Sequence, residues 1–297
     1  MNLQTDSFLE YLKSERNYSP ATIESYAKDL AEFRNFLEGQ RLEPQWADVK
    51  ADDVREWVIY MLDEQKLTAS SVNRKLSALR TCYKYLRKME VVKANPMEKV
   101  VAPKKKRPLP YFVRESDMDK LLELTAEDKT FKGVRDRLIL LMFYETGIRR
   151  AELLGLTDAS VDLKAKQIKV TGKRNKQRIV PFGDELEAGL QAYLDFRKTK
   201  TGFSNAPALF ITEEGKPLNE AQVSRIVKDN LSMVTTMKKR SPHVLRHSFA
   251  TAMLNNKADL TSIQKLLGHE SVATTEVYTH VSFEDLKNEY KNAHPRK

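Results

Sequence analysis

Five residues of this chain have the types and order that phosphoryl transfer on a nucleic-acid backbone requires without a metal. Arg149 lies in TGIRRAELLGL, His243 and Arg246 in SPHVLRHSFAT, and His269 and Tyr278 in LLGHESVATTEVYTH. Two guanidiniums can fork onto the non-bridging oxygens of one phosphodiester. Imidazoles can move protons near neutral pH. A phenol can attack phosphorus and hold a covalent intermediate. No clustered Asp/Glu set surrounds these motifs, which argues against a two-metal nuclease, and no cofactor or metal is expected.

The bulk numbers fit a polyanion partner. With 297 residues, 41% of them hydrophobic and 31% charged, the chain is long enough for two domains with separate cores. The amino terminus lacks a signal-peptide pattern and no apolar run approaches a bilayer span, so no membrane is expected and the cytoplasm is the expected compartment. Cys82 stands alone, which rules out an internal disulfide and a cysteine-based metal cluster. The net charge of +10 is concentrated: between Lys66 and Arg114 there are 14 Lys or Arg against only Glu90 and Glu98. Such a field recruits a polyanion, with nucleic acid the expected one and a salt-dependent affinity. The plainer reading is a solvated basic linker.

The elements that must position these residues can be read from periodicity. Residues 1–92 read as four helices. The first carries Phe8, Leu9, Tyr11 and Leu12. The second opens on Ser19-Pro20, an N-cap followed by proline at the first helical position, and places Ile23, Tyr26, Leu30, Phe33 and Leu37 on one face before Gly39. The third covers about 51–66 and the fourth about 69–89. The fourth turns Val72, Leu76, Leu79, Tyr83 and Leu86 inward, and its other side holds Arg74, Lys75, Arg80, Lys84, Arg87 and Lys88. Of these, Arg74, Lys75, Arg80 and Lys84 are expected to follow a phosphate backbone, with Lys104, Lys105, Lys106 and Arg107 from the stretch 93–113. That stretch, rich in proline, reads as an extended basic linker.

The second domain, 114–297, reads as mostly helical with one small antiparallel sheet. GVRDRLILLMFYETG is a buried helix ended by Gly147. QIKVTGK and QRIVPF form a hairpin around Lys173-Arg174-Asn175-Lys176, and ALFIT at 208–212 reads as a short strand. Helices are expected at about 184–200, 219–232, 242–255, 260–267, 271–279 and 283–292. Ser241-Pro242 again starts a helix, and puts His243 and Arg246 three apart on its opening turn, where free N–H groups favour a phosphate. A helix-capping histidine is the plainer reading of His243, and a half-buried helical tyrosine that of Tyr278. His247 reads as a packing or surface residue.

TGIRRAELLGL, TGKRNKQRIVP, SPHVLRHSFAT and LLGHESVATTEVYTHV, in this order and spacing, resemble the tyrosine recombinase (phage integrase-like) family, and most closely its bacterial Xer-type members. The resemblance spans almost the whole chain. It implies a mainly α fold: an N-terminal four-helix, SAM-like core-binding domain and a catalytic domain that together form a C-shaped clamp on DNA. It makes Arg149 and Arg246 the catalytic arginines, Glu152 the carboxylate that supports Arg149, His243 and His269 the histidines of the site, and Tyr278 the nucleophile. Lys173 matches the lysine that protonates the leaving 5′ oxygen; on chemistry alone Arg174 and Lys176 compete with it. Arg150 lies outside the pattern and is expected on another face. The implied partners are two DNA sites held by a homo- or hetero-tetramer, with room for a second recombinase and a DNA translocase. The helix at 283–292 is implied to dock into a neighbouring subunit, the rival being that it folds back on its own domain. The implied function is site-specific recombination through a 3′-phosphotyrosyl link, as in Xer-type resolution of chromosome or plasmid dimers. Alternatives are an integrase or transposase of a mobile element, a type IB topoisomerase-like enzyme, and a DNA-binding protein that does not cleave.

Overall fold

The computed structural model describes residues 3–40, 44–104, 111–172, 175–199, 207–268 and 283–296, with the backbone alone for 283–286. Lys105, Lys106, Arg107, Lys173, Arg174, His269, Tyr278 and the helix expected at 271–279 lie outside the described residues. The chain forms two compact units, residues 1–108 and 109–297.

The first unit holds four helices: α1 (Leu3–Ser14), α2 (Pro20–Glu38), α3 (Ala51–Asp63) and α4 (Ala69–Lys88). Ser19 accepts from the Thr22 N–H and Thr68 from the Ser71 N–H, so both longer helices start where a hydroxyl satisfies a free donor. Their apolar stripes meet in a core built around Phe8, Leu12, Phe33, Trp57, Leu76 and Tyr83. Each fully buried side chain of this size contributes about 1.5–3 kcal/mol relative to exposure.

Two expectations for this unit need correction. Lys75 is not on a free basic face: it is buried, and its ammonium meets Asp29 and Glu32. Lys75 follows Val72 by three positions and so falls on the edge of the same apolar stripe. A cation there requires a carboxylate, and Asp29, only 2% exposed, supplies it. Arg74 forks onto Asp29 as well, while Lys84 is exposed and Arg80 half-buried. The second correction concerns the stretch read as linker from residue 93. Met97 and Val100 are buried in the first core, and Asn73 Nδ2 donates to the Pro103 carbonyl at 2.8 Å. Residues 93–103 thus pack on α3 and α4 before the chain reaches exposed Lys104.

The second unit begins with α5 (Glu115–Ala126) and α6 (Phe131–Thr146), followed by α7 (Arg150–Leu154). Its α6 is buried on nearly every side and serves as the central rod, packed by α5, by α8 (Asp184–Thr199), by α9 (Glu220–Leu231) and by α10 (Pro242–Asn255). The sheet is antiparallel in the order β1 (Val161–Asp162), β2 (Gln167–Thr171), β3 (Gln177–Pro181), with Ile168 opposite Val180 and Val170 opposite Arg178. The strand β1 is two residues long, too short for alternation to reveal it.

ALFIT is not a strand; one bridge, Ile211 to Pro217, is all that remains of it. Its backbone is satisfied partly by main chain, with Leu209 N–H donating to the Leu156 carbonyl, Thr212 N–H to the Lys216 carbonyl and Leu218 N–H to the Phe210 carbonyl, and partly by side chains. Tyr193 Oη accepts from the Ile211 N–H and donates to the Leu209 carbonyl, Arg197 donates to that carbonyl too, and Arg135 donates to the Ile211 carbonyl. The apolar run is buried as a strand would be, without a partner ladder.

The last elements are α11 (Leu260–Leu267) and α12 (Phe283–Ala293). In this chain α12 is seated on its own domain, against α10, α11 and β3. Tyr290 and His294 are buried; His294 Nε2 donates to the Tyr144 carbonyl, and Arg296 pairs with Asp119 and Glu185. Tyr290 Oη donates to Glu145 Oε2, which also accepts from the Gly183 N–H. Burial, against those two hydrogen bonds, pushes the Glu145 carboxyl up to about 8. The unfolded chain releases this proton first, so stability is whole below about pH 4.5 and declines as pH rises through about 8. Comparing Tm across that window for the wild type and Glu145→Gln should show the decline in the wild type alone, on the order of a few kcal/mol.

Candidate active site

Arg149, Glu152 and Arg246 converge on one place, the C-terminal end of α11. Arg149 is the N-cap residue of α7, and its backbone N–H donates to Glu152 Oε2 at 2.7 Å. Its side chain returns to the same carboxylate, Nη1 to Oε1 at 2.9 Å, while Nη2 donates to the Gly268 carbonyl at 2.8 Å. Arg246, at the start of the second turn of α10, is buried; Nη1 donates to the Gly147 carbonyl at 2.5 Å and Nη2 to the Leu267 carbonyl at 2.6 Å. Each guanidinium has five N–H donors, so both keep donors for a further acceptor.

A third arginine, which the motifs do not single out, joins them. Arg178 on β3 donates Nη1 and Nη2 to Glu152 Oε1 and Oε2 at 2.6 and 3.0 Å, and Nε to the Leu266 carbonyl at 2.7 Å. Strand alternation carries the missed signal. Arg178 and Val180 are two apart and share a face, and Val180 is wholly buried. A strand cation on the buried face needs a carboxylate, and Glu152 is that carboxylate.

Two glycines make this convergence possible. Gly147 ends α6 with φ at 57°, and a Cβ there would sit 2.5 Å from Phe249 Cδ1. Gly268 ends α11 with φ at 63°, and a Cβ there would sit 3.1 Å from Arg178 Nη1. Each left-handed cap aims carbonyls at the arginines.

The electrostatics follow from this crowding. Burial works to raise the Glu152 carboxyl, but hydrogen bonds from Arg178 and the Arg149 backbone, with the charge of Arg178, outweigh it and hold it below the ordinary carboxylate range. Burial, and then the neighbouring Arg149, draws Arg246 down to about 10, so it stays charged at neutral pH. Burial, and then the charges of Arg246, Arg150, His247 and Arg149, lower His243 and favour its neutral form, the form that can accept a proton. His243 and His247 are both exposed. Arg150 is turned to α9, where it pairs with Glu220 and donates to Ser224 Oγ at 2.7 Å. The hairpin of β2 and β3 that carries Lys173 is held to the cluster by Arg178. His269 follows Gly268 directly in the chain.

This arrangement offers the guanidiniums of Arg149 and Arg246, with Arg178 committed to Glu152 and the Leu266 carbonyl, and a neutral imidazole close enough to feel both. It can bind a phosphodiester and stabilise charge growing on its oxygens. Among the described residues no group of His, Cys, Asp and Glu is placed to hold a metal ion. Replacing Gly268 by alanine should cost about 1–2 kcal/mol, because the residue must keep a left-handed conformation while its methyl presses on Arg178; urea unfolding checks this.

The chain was compared with known proteins. The Phage integrase family matches residues 111–285, and the Phage integrase N-terminal SAM-like domain matches residues 5–90. A tyrosine recombinase XerC of Staphylococcus epidermidis is 38% identical over 291 residues, 98% of this chain and 97% of the relative. One of Staphylococcus haemolyticus is 40% identical over 294 residues, 98% of this chain and 96% of the relative. Among solved structures, the XerH site-specific recombinase bound to its difH substrate, in a pre-cleavage complex, has a TM-score of 0.69 at 23% identity. The match covers 96% of this chain and 83% of that one, and shows a common fold.

Proposed function

Because the chain belongs to the phage integrase family and is a tyrosine recombinase, we propose that it cuts and rejoins double-stranded DNA at specific sites through a 3′-phosphotyrosyl intermediate. The observation that carries the reading is the convergence of Arg149 and Arg246 on consecutive carbonyls at the end of α11, immediately before the segment that holds His269 and Tyr278. Two fixed guanidiniums there can grip both non-bridging oxygens of a scissile phosphate.

The Tyr278 phenol oxygen attacks phosphorus and the bond to the 5′ oxygen breaks. The phenol proton passes to a histidine, for which neutral His243 is suited, and His269 supports the phosphoryl oxygens. Lys173, at the hairpin turn, gives the departing 5′ oxygen its proton. The phosphoester energy stays in the tyrosyl link, so a 5′-hydroxyl from a second duplex reverses the step without ATP. Arg149 and Arg246 match the charge that builds on the phosphoryl oxygens, and loss of one such donor costs about 3–4 kcal/mol. Strand exchange then takes two duplexes and four protomers. The resemblance to Xer-type recombinases favours resolution of chromosome or plasmid dimers over mobility of an integrated element.

Nicked suicide duplexes bearing the cognate site test the chemistry. The wild type should accumulate a covalent 3′ adduct, and Tyr278→Phe should bind the same duplex and form none; an adduct from the variant, or none from the wild type on bound DNA, sinks the mechanism. The basic run from Lys104 is expected to lie along the phosphate backbone. Charge reversal at Lys104, Lys105 and Lys106 should weaken binding and flatten the slope of log affinity against log salt by up to about 3, as a titration of binding against salt would show.

A further inference from the structure

We propose that Arg178 is a positioning residue for strand cleavage: its guanidinium fixes Glu152, and through Glu152 the phosphate-facing Arg149, against both the hairpin and the end of α11. The inference rests on the proposed function. Glu152 is 3% exposed and accepts four N–H bonds, two from Arg149 and two from Arg178. Arg178 supplies the bidentate half of that set, the geometry in which a guanidinium holds a carboxylate in plane. Its third bond, Nε to the Leu266 carbonyl, spans 88 positions of sequence and ties β3 to the helix end that precedes His269.

One side chain therefore joins three segments: the start of α7 with Arg149, the strand β3 and the end of α11. A lysine cannot do the same, since it lacks the planar fork. The charge on Arg178 has a second effect. It keeps Glu152 ionised in a buried place, and an ionised Glu152 is what accepts from both the backbone and the side chain of Arg149. Without Arg178 the carboxyl loses two of its four donors, takes up a proton more readily and releases Arg149 from its setting.

The test is single-turnover adduct formation on the suicide duplex across pH, with binding measured separately on an uncleavable duplex. Arg178→Met keeps the apolar stem and removes the charge and the fork. It should leave binding intact, slow adduct formation roughly tenfold to hundredfold, and move the acid limb of the rate profile to higher pH. Arg178→Lys should return the acid limb towards the wild-type position while its rate stays between the two. A wild-type rate and limb in Arg178→Met overturn the inference. So does a loss shared equally by binding and rate with the limb unmoved, since a purely structural ion pair would do that. Should Arg178→Met fail to fold, Arg178→Lys decides by its rate, which the inference requires to fall with binding intact. A wild type that forms no adduct overturns the proposed function and this inference with it, whereas a cleaving wild type with an unaffected Arg178→Met overturns this inference alone.

Discussion

Three guanidiniums meet three consecutive carbonyls where α11 ends: Arg178 on Leu266, Arg246 on Leu267 and Arg149 on Gly268. The end of a helix carries about half a negative charge, and its last carbonyls have no partner inside the helix. The arginines satisfy them. Against three positive charges the cluster holds one ionised carboxylate, Glu152. The site is therefore assembled with an uncompensated positive charge in a half-buried place, which is costly unless an anion arrives. A phosphodiester is such an anion, and a pentavalent phosphorus, with more charge on its oxygens, balances the cluster better still.

Much of this was legible in the sequence, and the exceptions have physical causes. The second helix announces itself through Ser19-Pro20 and its five apolar positions, and α6 through an apolar run closed by Gly147. Arg149, Glu152 and Arg246 are each visible as motif residues. The carbonyls they bind are not, because no pattern in a sequence distinguishes one main-chain oxygen from another. Arg178 was hidden among the basic residues of TGKRNKQRIVP, where composition suggests a solvated turn; only the pairing of Arg178 with Val180 on one strand face separates it from its neighbours. ALFIT misleads for the converse reason. Its burial is that of a strand, but Tyr193, Arg135 and Arg197 share with a few main-chain bonds the hydrogen bonding that a partner strand would make.

The first unit shows the same limit of reading charge by composition. The basic excess from Lys66 onward is real, yet Lys75 and Arg74 are bound to Asp29, and Arg87 meets Glu98. The helix α4 therefore presents fewer uncommitted cations than its sequence contains. Lys84 and Lys104 stay exposed, and the chain between residues 93 and 103 is drawn onto the helix by Met97 and Val100.

The last turn of α6 is gripped from two sides. Tyr144 and Glu145 hold the tail, through His294 and Tyr290, while Gly147, two residues further on, holds Arg246. The C-terminal helix is in this sense a strut beneath the floor of the site. Whatever lifts α12 away also loosens the turn whose carbonyl holds Arg246, so the tail of the chain and the arginine cluster share a single mechanical footing.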